Sequence, residues 1–359
     1  MKIHFERRPA PLWLRLLIPV ISVGLTFVLT AGFVTAVDAS PWQATYYFLL
    51  DPFSSQVKAI EVLVKATPLL LTGAAVAFAF AGGYWNIGAE GQLYMGAVAA
   101  TAVGLQMEGR PAWLAIALVV LAGIAGGMLW ALLPALMKVR LKIDEVVTTL
   151  LLNSVALFFV SALLNGPWRD PVSQWPQSPE IDAAAILPRL IPRARLHLGF
   201  VFAVVVIVLF WFVLNRTAFG VKLRAVGFNR DAARFSGIRV DRSLLAVALI
   251  SGGIAGLAGA GEVAGIHFHL IDAISPGYGY TGILIATLGS LNALGIALAA
   301  VFIGLIDTGA QTVSRVLGVP VYLGDVIQAT LLLVTLAMLL LQNYRLSFKR
   351  GPRIPAGNR

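Results

Sequence analysis

The sequence has no cysteine and little charge. Its 359 residues hold 27 Lys and Arg, 17 Asp and Glu and 4 His, and charged residues make up 12% of the chain. Without cysteine there is no disulfide, no thiolate chemistry and no Cys-ligated zinc or iron–sulfur cluster; the absence says little about compartment. Soluble domains carry about a quarter charged residues, so a chain with 12% charged and 58% hydrophobic residues is not an ordinary soluble globule. The signatures G-x-x-x-x-G-K-[ST], H-E-x-x-H and G-x-S-x-G occur nowhere. Their absence removes the usual ATP cradle, the zinc-protease helix and the hydrolase elbow. Acidic residues are scarce enough to leave a net charge of +10. Nucleic acid is still rejected as a partner, because the positive charge lies in loops and tails between apolar runs, as membrane topology requires.

Long apolar runs are what the chain does have. A hydrocarbon core of about 30 Å takes about 20 helical residues, and runs of that order lie near 12–37, 59–82, 87–106, 112–136, 146–165, 197–214, 244–265, 281–297, 298–314 and 322–341. These predict an all-α, polytopic transmembrane helical bundle of about ten spans, forming one transmembrane domain over 1–359. The runs are continuous and do not alternate in and out, which excludes a transmembrane β-barrel. The stretch 281–314 is the ambiguous one, readable as one long helix or as two short ones around Asn292 and Gly295. Lys2, Arg7 and Arg8 precede the first run, and AVDAS follows it, as in a signal peptide. The run exceeds the roughly 7–15 residues of a signal core, so it is read as an uncleaved first span.

Charge sets the orientation. Tail 1–15, loop 137–145, loop 215–243 and tail 342–359 hold 19 of the 27 basic residues and fall on one side of a ten-span arrangement. The positive-inside rule places that side, with both termini, in the cytosol. On the other face the largest segment is 166–196, with six prolines, Trp168 and Trp175. Proline stops helices and Trp favours the membrane interface, so this segment is expected to be a short ordered cap.

Glycines cluster within spans, as AGIAGGMLWALLPALM and ISGGIAGLAGAGEVA. Small residues let transmembrane helices pack backbone to backbone, and the likeness of the two stretches is compatible with an internal repeat. The segment AGGYWNIGAEGQLYMG breaks an apolar stretch with glycines and carries Asn86, Glu90 and Gln92. Irregular backbone and a carboxylate at membrane depth require burial in protein or a wet cavity. Two readings stand: a broken helix beside a solute path, or a tight turn whose polar groups bond helix to helix. Asn153, Asn292, Asp307 and Gln311 are further polar residues in apolar surroundings, and any of them can line a path. His267 and His269 lie near Glu262 and Asp272, but ordinary polar loop residues explain them better than a metal site.

The segment 215–243 departs most from the rest. It holds Arg216, Lys222, Arg224, Arg230, Arg234, Arg239 and Arg242 against only Asp231 and Asp241. Asn229 suits an N-cap, Asp231 complements the dipole in the first turn, and Gly237 can end a helix left-handed. These predict a helix of about two turns over Arg230–Ser236, with Phe228 and Phe235 as apolar anchors and Arg230 and Arg234 as a basic i,i+4 pair. Such a helix suits docking into a protein groove, or lying on anionic lipid.

Leu223–Arg242, LRAVGFNRDAARFSGIRVDR, resembles the cytoplasmic coupling loop of ABC-importer permeases. The match is to the branched family that includes simple-sugar and ribose permeases, and nucleoside permeases associated with basic-membrane-protein-type lipoproteins. The family pattern runs R-A-V-G-E-N-P-x-A-A-x-x-A-G-I, matched by Arg224, Ala225, Val226, Gly227, Asn229, Ala232, Ala233, Gly237 and Ile238. AFAGGYWNIGAEGQLYMGA resembles the family's F-N-I-G-A-E-G-Q block, and GYGYTGILIATLGSLNALGIALAAVFIGLIDTG its G-F-x-G-I-x-V-A-L-L-G block. The chain departs at Phe228, where the family has Glu, at Arg230, where it has Pro, and at SLNALG, which replaces an R-N-H-P-L-G-like run.

The resemblance implies a permease subunit of an ABC importer in the bacterial cytoplasmic membrane. It is not an enzyme and binds no cofactor; ATP and magnesium belong to a cytosolic ABC ATPase. That partner is expected to grip Arg224, Gly227, Phe228, Asn229, Arg230, Asp231, Ala232, Arg234, Phe235 and Gly237. A second homologous permease, an extracytoplasmic solute-binding lipoprotein and membrane lipid complete the partners. The path candidates are Asn86, Glu90, Gln92, Asn153 and Asn292, and the solute is nucleoside- or purine-like or a simple sugar. Tyr84 and Trp85 are offered either as base-stacking rings or as interface aromatics. The alternative is an ion-coupled secondary transporter using Glu90, Glu262 and Asp307.

Overall fold

The computed structural model describes residues 2–7, 12–36, 38–320 and 322–349. In chain order the elements are β1 (Lys2–Arg7), α1 (Leu12–Thr35), α2 (Pro41–Leu49), α3 (Gln56–Ala81), α4 (Ala89–Gly104), α5 (Ala112–Leu141), α6 (Glu145–Asn165) and α7 (Gly199–Arg216). Then come α8 (Ala218–Phe228), α9 (Arg230–Phe235), α10 (Val240–Glu262), α11 (Tyr278–Leu288), α12 (Ala293–Leu317), α13 (Leu323–Asn343) and β2 (Tyr344–Lys349). Among the described residues, six helices are long and apolar enough to cross a membrane: α3, α5, α6, α7, α10 with its continuation to His267, and α12. The all-α, multi-pass expectation holds, with one addition in the tails.

That addition is a two-stranded antiparallel pair, with Ile3 opposite Phe348 and Phe5 opposite Leu346. KIHFER and YRLSFK both alternate apolar and polar residues, the period of a strand. The pair belongs to a small unit made of the residues up to Leu50 and those from Gly309 on. In that unit α1 packs along α13, and Phe27 meets Phe48 edge to face at 6.0 Å.

The larger unit is Asp51–Thr308, and burial sorts its helices. The apolar window of α3 is 89% buried and that of α10 72%, whereas those of α5 and α7 are 22% buried. Thus α3 and α10 form the centre, while α5 and α7 turn most of their surface outward. A helix apolar all round suits either place, so only tertiary structure separates them. The two glycine clusters join α5 to α10. A Cβ on Gly127 would sit 2.1 Å from the Gly252 carbonyl oxygen, one on Gly256 2.2 Å from that of Gly123, and one on Gly96 of α4 2.3 Å from Gly256 Cα. Three backbones therefore meet where side chains are absent, and van der Waals contact replaces the missing hydrophobic drive.

The region 281–314 divides unevenly. Helix α11 has 11 residues and α12 has 25. At 1.5 Å per residue α11 is about 16 Å long, roughly half a membrane. The turn 289–292 is closed by the amides of Gly289 and Leu291 on the carbonyls of Ile285 and Ala286. Of the two readings the split near Asn292 is the one found, with a half-length helix and a full one in place of spans meeting at 297.

Segment 166–196 is ordered without much regular structure. The amides of Ser178, Ile181 and Leu187 donate to the carbonyls of Leu270, Phe268 and Ala264 at 2.8–2.9 Å. They bind the cap to the π-helical turn Val263–His267 that prolongs α10, and to the loop after it. The Ser173 hydroxyl and the amides of Val172 and Ser173 hold the Asp170 carboxyl below the usual carboxylate range. Buried His197 accepts from the Gly199 amide through Nδ1 at 3.1 Å, and a Cβ on Gly265 would fall 2.4 Å from its ring.

Candidate functional site

The chain leaves α3 at Gly82 and enters α4 at Ala89 through an irregular stretch. Gly83 has φ of +73°, and a Cβ on it would lie 2.9 Å from Gly227 Cα at the end of α8. Both the left-handed backbone and the close approach require glycine there. Backbone polar groups buried without partners cost several kcal/mol each, and side chains satisfy those of this stretch.

Asn86 is fully buried. Its amide nitrogen donates to Gln92 Oε1 at 2.8 Å and to Ser251 Oγ at 2.9 Å, and its oxygen accepts from the Gly88 amide at 2.9 Å. Ser251 passes the chain on to the Ala75 carbonyl at 2.7 Å. Asn153 donates to the Ile87 carbonyl and accepts from the Gly91 amide, each at 2.9 Å, and also donates to the Tyr280 hydroxyl at 3.2 Å. The Glu90 carboxylate accepts from the Gly279 amide at 2.6 Å. That amide belongs to the first turn of α11, where free N–H groups and the helix dipole favour an anion.

Four of the five path candidates, Asn86, Glu90, Gln92 and Asn153, therefore converge on this break. The readings of a broken helix and of helix-to-helix bonding merge: the helix is broken, and its polar groups bond between helices. Asn292 lies apart. It is exposed in the 289–292 turn, and its Oδ1 accepts from the Leu294 amide at 3.0 Å. It borders a cleft of about 390 Å³ lined by Phe80, Phe210, Leu214, Arg224 and Phe228. Tyr84 is buried and so unable to stack on a base, while Trp85 is half exposed with its ring 4.6 Å from that of Phe80.

The second part of the site is α9. Asn229 Oδ1 accepts from the amides of Asp231 and Ala232 at 3.0 Å, and Gly237 closes the C-terminal end with φ of +80°. The helix runs Arg230–Phe235, with Ser236 as its cap. The sequence reading missed α8, which precedes it and is capped by Thr217 through the Gly220 amide at 3.1 Å. Phe228 is 89% exposed and Phe235 97%. Phe228 closes α8 and Phe235 closes α9, so the two bare rings flank the capped turn between them. Arg234 pairs with Asp231 at 3.5 Å in the open, a contact that contributes little.

Arg230 behaves differently from its basic neighbours. Its guanidinium turns inward, donating to the Gly83 carbonyl and meeting Glu145 Oε1 at 3.3 Å. Glu145 is buried and also pairs with Lys138. Thr149 accepts from the Ile87 amide at 3.2 Å. Glu145, Thr149 and Ser251 were not among the expected site residues. A signal for two of them was present, because Glu145, Thr149 and Asn153 repeat every fourth residue along one helical line.

The model of the family described as branched-chain amino acid transport system / permease component matches residues 58–336. The chain is 35% identical over 363 residues to a glucose ABC transporter permease protein of Haloferax volcanii, covering 98% of this chain and 95% of that one. It is 36% identical over 276 residues to a guanosine ABC transporter permease protein of Bacillus subtilis, covering 76% and 79%. A nucleoside ABC transporter permease protein of Lactococcus lactis is 27% identical over 327 residues, with 89% and 90% covered. No solved structure matches.

Proposed function

This chain belongs to the permease-component family of the branched-chain amino acid transport systems, and on that premise we propose that it forms the path by which a cytosolic ABC ATPase drives import of a nucleoside or a similar hydroxylated solute. The chain is a permease subunit of the ABC class and catalyses no bond change itself. The relatives named for guanosine, nucleosides and glucose support a neutral solute rich in hydroxyls, and the Trp-Asn-Ile-Gly-Ala-Glu-Gly block favours the nucleoside. These relatives offer no support for an ion-coupled carrier.

The observation that carries the reading is the α8–α9 segment: capped at Asn229, it holds Phe228 at the end of α8 and Phe235 at the end of α9 bare beside a membrane bundle. In this reading the positive-inside face is cytosolic, both termini lie on it, and the ATPase closes a groove over the two rings. ATP and magnesium stay in that partner. The 166–196 cap receives the solute-binding lipoprotein, and a second homologous permease completes the path. ATP binding draws the ATPase modules together, α9 moves with them, and the bundle exchanges one open side for the other. Asn86, Glu90, Gln92 and Asn153 shape the path by holding the break, and Asn292 caps α12 at the cleft.

Solubilising the chain after co-expression with its genomic neighbours tests the assignment. An ATPase that co-purifies, and is lost on Phe235→Ala, agrees with it; a chain that retains no ATPase overturns it. Binding of a nucleoside and sugar panel to the partner lipoprotein tests the solute, and tight binding of sugars alone overturns the nucleoside reading.

A further inference from the structure

One face of α6 carries three buried polar side chains a turn apart, Glu145, Thr149 and Asn153. Spacing by four stacks them in a line. Asn153 holds both sides of the break through Ile87 and Gly91. The Thr149 hydroxyl accepts from the Ile87 amide and donates at 2.6 Å to the carbonyl of Glu145. The Glu145 carboxylate takes Lys138 from α5 and Arg230 from α9. Arg230 reaches the same break directly, at the Gly83 carbonyl. From Arg230 of α9 the ion pair to the Glu145 side chain, and the hydrogen bonds from Thr149 to the Glu145 carbonyl and from the Ile87 amide to Thr149, lead to the break.

Close backbone packing supplies a second attachment. A Cβ on Gly227 would lie 2.3 Å from the Ala81 carbonyl oxygen, so the end of α8 rests on the end of α3. Hydrogen bonds weaken steeply with distance and angle, and packed interfaces choose between discrete arrangements without bending gradually. A shift of α9 must therefore carry the break along or exchange the partners of Arg230. The helix has two faces, one bare and one held by Arg230.

We propose that Arg230 and Glu145 are positioning residues that transmit movement of α9 through the α6 stripe into the 82–91 break. They touch neither solute nor nucleotide. They set how strongly the nucleotide state of the ATPase is felt at that break. This rests on α9 being the ATPase-docking helix.

Hydrogen–deuterium exchange on the complete purified transporter, with and without a magnesium–ATP analogue, tests it without knowledge of the solute. The analogue is expected to change exchange at Ile87 and Gly91 in the wild type. In Glu145→Gln, which lies outside the residues the ATPase is expected to grip, the ATPase still co-purifies but that response falls at least about 5-fold, the low end of common coupling energies, and Arg230→Ala loses the response to a similar extent, with ATPase retention measured beside it. Lys138 keeps Glu145 paired in Arg230→Ala, so no buried charge is stranded. Arg230→Lys restores part of the response, and Asp241→Asn, which breaks only the exposed pair with Lys142, leaves it unchanged. A wild-type-sized response in Arg230→Ala and Glu145→Gln, or no response in the wild type, overturns the proposal. Loss of ATPase binding in both variants also overturns it, because they then act on docking. A wild-type chain that binds no ATPase refutes the docking assignment itself.

Discussion

Replacing Gly256 by alanine adds one carbon where α4, α5 and α10 meet. The new Cβ would stand 2.2 Å from the Gly123 carbonyl oxygen and 2.9 Å from Gly127 Cα, where ordinary contact begins at 3.4 Å. Backbone atoms on both sides cannot rotate away, so α5 and α10 must part by about 1 Å, a gap that forfeits a quarter to a half of each contact well. Overpacking of this kind costs about 1–3 kcal/mol. Gly253 on the same helix provides the comparison. Its Cβ would meet Met128 Cγ at 2.9 Å and Ile124 Cγ2 at 3.2 Å, and the Met128 chain can turn aside. The helix-propensity gain of Gly→Ala, about 1 kcal/mol in water, is common to both and cancels. Thermal unfolding followed by tryptophan fluorescence, with both variants in one detergent, should place Gly256→Ala below Gly253→Ala by roughly 2–12 °C, at about 2–4 °C per kcal/mol. Equal melting temperatures, or the reverse order, would refute the view that backbone contact at Gly256 holds the bundle.

Asn153→Leu removes the partners of the Ile87 carbonyl and the Gly91 amide; at about 1–3 kcal/mol per stranded group the variant should melt well below wild type, and an unchanged melting temperature counts against the network. Phe235→Ala should leave melting unchanged, since the ring is 97% exposed, while weakening retention of the ATPase about tenfold, the measure of one interface anchor worth about 1.4 kcal/mol; normal retention in co-purification would contradict the docking role. Gly265→Ala drives a carbon into the His197 ring and should loosen the cap, read as faster proteolysis within 166–196 with the helices still protected.

Sequence exposed α9 well because its determinants are local. Asn229, Asp231 and Gly237 act within a few residues of one another, and the helix ended within one residue of the expected place. The positions of the spans were legible for the same reason; at 281–314 two readings stood open, because the apolar run continues through a turn made by Ser290 and Leu291 at positive φ. The site was half legible. Asn86, Glu90, Gln92 and Asn153 stood out because polar side chains are expensive in apolar surroundings. Their partners did not, because Ser251 lies 165 residues from Asn86 and Tyr280 lies 127 from Asn153. In sequence Arg230 reads as one of a basic pair with Arg234 facing the ATPase; only folding shows that Glu145 and Gly83 claim it.

The contact between Gly83 and Gly227 has a consequence for building chimeric transporters. Neither residue tolerates a Cβ, because each presses on the backbone of the other's segment, and Arg230 reaches across the same seam. The α8–α9 segment is thus not an interchangeable plug that can be lifted from one permease into another. A functional transplant has to carry residues 81–83 and Glu145 along with it, so the smallest unit that can be exchanged is discontinuous in the chain.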